Sequence, residues 1–378
     1  MKVRAIFFLF VFGLTACTST QPVTFSPSST ELSNSGSILV FRRFSDPQQG
    51  IFEVLAFVDG DPDQQISLGY YRGVPAISRD GNYLAVGCLD DSNKLCIVDI
   101  RKIKNKTSDL ASSSNLPVVK TVDLPDPCTE MLSLQGNDDL GWPSSTGVDS
   151  TSWSYDDTKL AVVCKRIFNG KEGKTCILPL DESEKSFCWE LPTSTINVTR
   201  AEWSPVEDQL VISSWMGYGV KIYLIDPSGQ NPRYLTEGWG ASWSPDGKQI
   251  AFIQWAGDYF TIENEKIFIK PEVKATYTGL ATINIDGSDL CWLYKDPGSS
   301  SGDPSRISLS CDDSWADCNT TWSPDGKYIA FNGVIDGAYN YNIFKISLDT
   351  GEIIRLTFPI NDQKYSRSNS APNWGKQK

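Results

Sequence analysis

One ten-residue stretch occurs twice almost unchanged, at residues 243–252 and 322–331, and it constrains the fold more than any other feature of the chain. Both copies read Trp-Ser-Pro-Asp-Gly-Lys, then one variable residue, then Ile-Ala-Phe. Pro fixes φ at the second position of a turn, Gly supplies a left-handed residue, and β-branched and aromatic residues follow. The stretch therefore predicts a strand, a tight turn and a second strand.

Looser copies bring the total to six, at residues 77–86, 153–162, 203–212 and, truncated, 372–375. The residue before the turn Ser marks each copy, and these marker positions are Ile77, Trp153, Trp203, Trp243, Trp322 and Trp374. The shortest interval is about 40 residues, which is typical of a four-stranded propeller blade. The longer intervals then require insertions, and polar stretches suited to that role lie near residues 101–117, 127–150, 256–278 and 296–318.

The strand order within one unit is legible in the last complete copy. Strand a runs into Trp322, and strands b, c and d follow at 328–332, 342–348 and 353–358. The folded part begins with a strand b at 37–42, then c at 52–58 and d at 65–68, whereas the chain ends on a lone strand a at 370–374. Pairing the two ends would complete a blade and remove open sheet edges. We therefore predict an all-β fold, a six-bladed β-propeller of four-stranded antiparallel blades closed by pairing N-terminal strands with a C-terminal strand.

On these repeats the chain resembles the TolB-like six-bladed propellers, and it is also similar to the non-catalytic propeller of dipeptidyl peptidase IV-type enzymes. The resemblance covers about residues 36–376. It implies a place in the cell envelope and binding of proteins or small ligands rather than catalysis. We expect a propeller on its own, because the short N-terminal tether leaves no room for the α/β domain of TolB and the hydrolase domain of the peptidases has no counterpart here.

The N-terminus has the features of an export signal. Lys2 and Arg4 precede an apolar run at residues 5–12 that is too short to span a bilayer. The run ends in Leu-Thr-Ala-Cys, which resembles the bacterial lipoprotein signal, in which the peptide is cut before the Cys and lipid is attached to its sulfur. We predict a signal peptide at 1–16, lipidation of Cys17, a flexible Ser/Thr/Pro tether to residue 35, and a folded part outside the cytoplasm. An ordinary signal with an incidental cysteine is the alternative, and the choice of membrane stays open.

The chain has 10 cysteines, and disulfides are expected in an exported protein. Two pairs occupy equivalent places around the b–c loops of neighbouring blades, and a third pair lies in one polar loop. We predict three bridges on this basis, Cys88–Cys96, Cys164–Cys176 and Cys311–Cys318. Three cysteines cannot be assigned from the sequence, Cys128, Cys188 and Cys291, and the odd number left beside Cys17 predicts at least one unpaired thiol.

The sequence contains no histidine, which excludes Ser-His-Asp and Cys-His catalysis and His-ligated zinc. Residues 298–302 match the nucleophile-elbow pattern but lack the strand, the helix and the His that the pattern requires. The acids at 59, 61 and 63 have calcium-loop spacing, yet Gln64 and Tyr70 replace the turn Gly and the bidentate Glu. We therefore assign no cofactor and no metal site, although a metal in the central channel stays open.

The two faces of the predicted ring differ. The a–b and c–d turns share one face, hereafter the turn face, and the b–c and d–a connections share the other, hereafter the loop face. We expect every insertion on the loop face, together with seven aromatic residues that we assign to partner binding: Trp142, Trp215, Tyr218, Trp239, Trp255, Tyr259 and Trp315. Rigid aromatic surface gives contact area at low entropic cost. The marker tryptophans, in contrast, should pack between blades.

Charge and composition limit the partner. The net charge of −12 and the lack of a basic run disfavour nucleic acid. We predict a monomeric, non-catalytic scaffold that binds an envelope protein or a glycan. The alternative is a His-independent glycan hydrolase or lyase working with carboxylates, for which Arg200 and Glu202 at the channel mouth are the nearest candidates. A channel lined by Ser, Thr and Asn would count against this alternative.

Overall fold

The computed structural model describes residues 37–46, 51–58, 61, 65–101, 116–126, 128–129, 148–164, 174–191, 197–215, 220–256, 260–263, 266–269, 277–296, 307–309, 319–335, 341–357 and 369–376. These residues form antiparallel strands that pair in consecutive sets of four, as the alternating and apolar patterns predict. Within this part of the chain, no helix is both long enough and apolar enough to cross a bilayer. The predicted signal peptide, Cys17 and the predicted tether lie outside the described residues.

Six sets follow one another, each written here from its innermost strand outward. The first three sets are β26 (Asn369–Lys376), β1 (Ser37–Asp46), β2 (Ile51–Val58) and the first part of β3 (Gln65–Ile77); the rest of β3, β4 (Tyr83–Gly87), β5 (Lys94–Asp99) and β6 (Val118–Asp123); and β7 (Val148–Trp153), β8 (Lys159–Cys164), β9 (Thr175–Pro179) and β10 (Phe187–Trp189).

The last three sets repeat this order, with additional short strands in the fifth and sixth. They are β11 (Asn197–Trp203), β12 (Leu210–Trp215), β13 (Val220–Ile225) and β14 (Arg233–Glu237); β15 (Trp239–Trp243), β16 (Gln249–Ala256), β19 (Tyr277–Asn284) and β20 (Cys291–Lys295); and β22 (Thr320–Trp322), β23 (Tyr328–Ile335), β24 (Tyr341–Ser347) and β25 (Ile353–Arg355). The total number of blades stays a prediction, because other stretches lie outside the described residues.

The first set is completed by both ends of the folded part, as predicted. Leu39 of β1 pairs with Trp374 of β26, and Ile38 pairs with Gly375. On its other side this set runs into the second without a loop, because β3 leaves one sheet and enters the next. Gly69 and Gly73 have positive φ at this bend, a conformation that glycine adopts without the steric cost of a Cβ.

The a–b turns share one hydrogen-bonded geometry. In four of them the turn Ser Oγ donates to the Asp two residues later, at 2.6 Å for Ser78–Asp80 and 2.7 Å for Ser244–Asp246. The same Ser Oγ accepts the backbone N–H at the start of strand b, at 2.9 Å for Gln249. The repeated Ser-x-Asp motif therefore sets the turn and the register of the strand that follows.

Each marker residue packs against the set that precedes its own. Trp153 lies in a core cluster with Ala85 and Ile97 of the second set, and Trp322 lies in one with Ile253 and Leu280 of the fifth. Trp153 Nε1 also donates to the carbonyl of Ala76, 2.9 Å away. The prediction that these tryptophans pack between blades is confirmed.

The insertions are divided between the two faces. The segments near 127–150 and 296–318 follow a d strand, and the segment near 256–278 follows a b strand, so the described strand ends next to all three lie at the loop face. The segment near 256–278 contains two strands that pair with each other, β17 (Phe260–Glu263) and β18 (Lys266–Ile269). The segment near 296–318 contains β21 (Ile307–Ser308), which pairs with β23. The segment near 101–117 connects β5 to β6, so its described ends, Arg101 and Leu116, lie at the turn face. The expectation that every insertion lies on the loop face is wrong, because this segment joins strands c and d.

Candidate functional site

A cavity of about 260 Å³ lies at the centre of the ring, and all six innermost strands line it. It follows these strands from Asp149, Thr199 and Asn319 near the loop face to Pro205 and Pro324 at the turn face. Six separate segments of the chain thus converge on one space. This convergence makes the cavity the best-defined candidate site in the described part of the molecule.

The walls of the cavity combine apolar side chains, among them tryptophan and proline, with polar ones. Hydroxyl and amide side chains come from four of the six innermost strands or the residue just before them: Ser150, Thr151, Ser152, Thr199, Asn319, Thr321 and Asn373. Two carboxylates, Asp149 and Glu202, and three cations, Arg79, Arg200 and Lys376, also contribute to the described lining. A surface of this kind can donate and accept hydrogen bonds in many directions but has few groups able to move a proton.

Arg200 and Glu202 form an ion pair, and their side chains are only 12% and 14% exposed. Arg200 Nη2 lies 2.8 Å from Glu202 Oε2 and donates to the carbonyl of Thr320, while Nε donates to the carbonyl of Ala241 and Nη1 to Asn319 Oδ1. Glu202 Oε1 accepts the N–H of Trp243 at 3.2 Å. Both charges are therefore engaged, and the pair joins the innermost strands of the fourth, fifth and sixth sets.

Arg79 and Asp157 are two residues that the sequence analysis did not single out. Asp157 accepts the N–H groups of Arg79 and Asp80 at 2.6 and 2.8 Å, and the Arg79 guanidinium reaches the carbonyl of Trp203. Burial lowers the pKa of Arg79, although Glu202 and Asp157 oppose that shift, and burial raises the pKa of Asp157.

Comparison of the repeat copies could have identified both residues, because each departs from the repeat. Arg79 occupies the turn position that is Pro in three other copies, and Asp157 occupies the position that is Gly in three others. At both positions the residue that departs from the repeat makes a hydrogen bond to another set of strands.

The disulfides lie where strands end at the loop face. Cys88–Cys96 joins β4 to β5, Cys128–Cys164 joins the connection after β6 to β8, and Cys176–Cys188 joins β9 to β10. Cys291 is also disulfide-bonded, and no cysteine among the described residues is free.

Of the three predicted bridges, Cys88–Cys96 is confirmed and Cys164–Cys176 is wrong. Cys164 and Cys176 are cross-strand neighbours with sulfurs 3.5 Å apart, as their equivalence to the first pair predicts. Each is bonded instead to a cysteine that sequence spacing could not place, Cys128 from a d–a connection and Cys188 from the outermost strand. Cys311 and Cys318 lie outside the described residues.

Among the predicted aromatic anchors, only Trp239 has a described side chain. It is 5% exposed, belongs to a core cluster with Val220 and Leu309, and lines the cavity. It can therefore meet a partner only from within the ring. The side chains of the other six, Trp142, Trp215, Tyr218, Trp255, Tyr259 and Trp315, lie outside the described part, and their role stays a prediction.

Comparison with known proteins rests on structure. No protein-family model and no curated protein sequence matches the chain. TolB from Acinetobacter baumannii superposes with a TM-score of 0.57 at 13% identity, over 91% of this chain and 67% of that one. A chain from a nidogen/laminin complex gives 0.51 at 10% identity, over 90% and 98%.

Enzymes are also among the matched structures. An oligogalacturonate lyase solved with manganese gives a TM-score of 0.46 at 12% identity, over 88% of this chain and 82% of that one, which is too low to carry an argument about activity. At such identities a likeness speaks for the fold alone. Together with the antiparallel sets of four strands and the paired termini, these comparisons show that the chain has the TolB-like β-propeller fold.

Proposed function

We propose that this chain is a cell-envelope lipoprotein, anchored by lipid on Cys17, whose propeller is a non-catalytic scaffold that binds an envelope protein or a glycan on its loop face. The observation that carries the proposal is the state of the Arg200–Glu202 pair. These two residues were the nearest candidates for catalytic groups. In the structure their side chains bond to each other and to the backbone of neighbouring strands.

A glycosidase or lyase of the carboxylate type needs at least one acid that can exchange a proton with substrate. Glu202 accepts hydrogen bonds from a guanidinium and from a backbone N–H, one on each carboxylate oxygen, so both oxygens are already engaged. Asp149 is the other carboxylate in the described lining, and it is the one observation that favours the enzymatic alternative. The rest of the lining combines hydroxyl and amide groups with tryptophan and proline side chains, as expected of a binding surface.

The positions of the disulfides favour the loop face as the binding face. All three disulfides with both partners described hold strand ends and connections on that side. Disulfides of this kind are expected in an exported protein and limit the freedom of the segments that they join. Binding to a surface whose segments are already restrained costs less conformational entropy.

Photocrosslinking from the two faces in the native cell tests this proposal. A photoreactive residue at Asp90 or Asn93, which are exposed in the b–c loop of the second set, samples the loop face. Tyr155 and Lys248, exposed in two a–b turns, are matched positions on the turn face. We expect one shared adduct from both loop-face positions and none from the turn-face positions. The same adduct from both faces, or an adduct from the turn face alone, would contradict the proposed face.

The anchor and the absence of catalysis are tested separately. Cys17→Ser should move the protein from the membrane fraction to the soluble envelope fraction, because the sulfur that carries the lipid is removed. Unchanged fractionation would exclude lipid on Cys17. The purified wild type can also be incubated with envelope polysaccharide. Soluble products that Asp149→Asn does not release would overturn the non-catalytic assignment in favour of a hydrolase or a lyase.

A further inference from the structure

Two disulfides of the third set touch each other. Cys128–Cys164 and Cys176–Cys188 are separate bonds, yet Cys164 Sγ and Cys176 Sγ are only 3.5 Å apart. The sulfurs of Cys128, Cys164 and Cys176 all lie within 4.8 Å of one another, and these three residues are almost fully buried. Cys188, at the outer strand, is partly exposed. Cys188 is therefore the least buried residue of the group, while the sulfurs of the other three lie close together.

The neighbouring set shows that the two central sulfurs can bond. Cys96 pairs in register with Val86, and the N–H of Cys88 donates to the carbonyl of Lys94. Cys176 pairs in register with Val162, and the N–H of Cys164 donates to the carbonyl of Lys174 in the same way. Cys88 and Cys96, at the equivalent places, form a disulfide. The backbone at Cys164 and Cys176 therefore has the geometry that carries a bridge one blade earlier.

We propose that these four cysteines form a thiol–disulfide exchange site, in which an external dithiol attacks Cys188 and the reaction ends with a Cys164–Cys176 disulfide. An external thiolate attacks Cys188 Sγ, the Cys176–Cys188 bond breaks, and Cys176 leaves as a thiolate. Cys176 then attacks Cys164 Sγ, the Cys128–Cys164 bond breaks, and Cys128 leaves as a thiolate that takes a proton from solvent.

The second thiol of the external dithiol closes the cycle. It attacks the external sulfur of the mixed disulfide and releases Cys188 as a thiol. The external dithiol is thereby oxidised by two electrons, and two protein disulfides become one disulfide and two thiols, at Cys128 and Cys188. The covalent link between the connection after β6 and strand β8 is lost, while β8 and β9 become joined to each other.

The exchange can be tested without a reductant in Cys188→Ser, which leaves Cys176 as a thiol beside the intact Cys128–Cys164 bond. The purified variant is quenched in acid, where thiolate attack is suppressed, and is then unfolded and alkylated. Trypsin separates Cys128, Cys164 and Cys176, because Lys159, Lys165 and Lys174 lie between them. We expect the alkyl label on Cys128 and a peptide cross-link between Cys164 and Cys176. Label on Cys176 with Cys128–Cys164 intact would overturn the proposal.

Cys96→Ser is the matched control, because Cys88 is not part of the close group of sulfurs. Its label should remain on Cys88. If Cys188→Ser does not fold, limiting dithiothreitol added to the native wild type provides the second test. The exchange predicts that Cys128 and Cys188 become alkylated first, with Cys164–Cys176 linked. First labelling of Cys176 and Cys188 together, or of all four cysteines at once, would show simple reduction and would contradict the exchange.

Discussion

Leu39 of β1 stands opposite Trp374 of β26 in antiparallel register, so the two ends of the folded part share one sheet. Leu39 is fully buried, and the N–H of Trp374 donates to Thr321 Oγ1 at 3.1 Å. Asn373 Oδ1 accepts the N–H of Ile77 at 2.9 Å, on the innermost strand of the second set. Strand β26 therefore contacts its own set and both neighbouring sets.

Ending the chain at residue 368 removes β26 and should open the ring. The ladder to β1 and the contacts to Ile77 and Thr321 are lost together, so we expect the free energy of unfolding to fall by more than about 4 kcal/mol. Urea denaturation measures the change. Ending the chain at residue 376 is the control, because it removes only two residues beyond the strand. Equal stability of the two truncated chains would exclude a structural role for β26.

The Arg200–Glu202 pair should behave as a structural link. Arg200→Met leaves the Glu202 carboxylate and three acceptor oxygens without their donor, so we expect a loss of about 2–4 kcal/mol. In the Arg200→Met variant, Glu202→Gln should lower the free energy of unfolding by less than it does in the wild type, with a coupling energy above about 1 kcal/mol. A double-mutant cycle by urea denaturation gives both values. Additive losses would show that the two side chains do not act as a pair.

The repeated turn predicts a pH dependence. Burial disfavours the charged form of Asp246, but hydrogen bonds from Ser244 Oγ and the N–H of Lys248 together outweigh it and lower the pKa from 3.8. A lowered folded pKa gives stability that is present above the unfolded pKa and is lost as the pH falls through the folded value. Asp246→Asn should therefore lower the free energy of unfolding by about 0.5–1 kcal/mol at neutral pH, where it loses charge-assisted bonds, and by less once the pH falls below the folded pKa.

Unfolding midpoints measured from neutral to acid pH check this dependence. The exposed Glu207 lies in the a–b turn that lacks the Ser-x-Asp pair, so Glu207→Gln is the control and should show no such convergence. A cost for Asp246→Asn that does not change with pH would contradict the assignment.

Asp157 holds a backbone conformation that favours glycine, with φ at 59°. Its two oxygens accept N–H groups from Arg79 and Asp80, and both alanine and glycine remove these bonds. Alanine additionally keeps a Cβ at positive φ, so Asp157→Ala should be less stable than Asp157→Gly by about 1 kcal/mol. Thermal unfolding of the two variants measures the difference. The reverse order would show that the turn relaxes to negative φ.

Much of the fold could be predicted because its signals are local and repeated. The Ser-x-Asp turn recurs in four units and a marker tryptophan in five, and the unmatched strands near Ile38 and Trp374 indicate how the ends pair. Propensity, turn chemistry and burial agree at these positions, so each supports the others.

The candidate site was harder to predict because its contacts join distant segments. No local pattern brings Cys128 to Cys164, since a d–a connection carries one and strand β8 the other. Trp239 was assigned to an exposed surface from its place beside a loop, but it begins strand β15 and turns into the core. The hydrogen bonds of Arg200 to two other sets could likewise not be predicted, because their partners are distant in the sequence.

An engineered disulfide between the two ends tests the closed ring most directly. Ser37 pairs with Lys376, and opposed residues in an antiparallel ladder have Cα atoms about 4.5–5.5 Å apart, within the range of a disulfide. The control is Ser37→Cys with Asn369→Cys, because Asn369 lies at the far end of β26. The account predicts that mild oxidation links the cysteines of Ser37→Cys/Lys376→Cys, with a higher unfolding midpoint, and leaves the control reduced. Free thiols in both variants, or equal linkage in both, would contradict it.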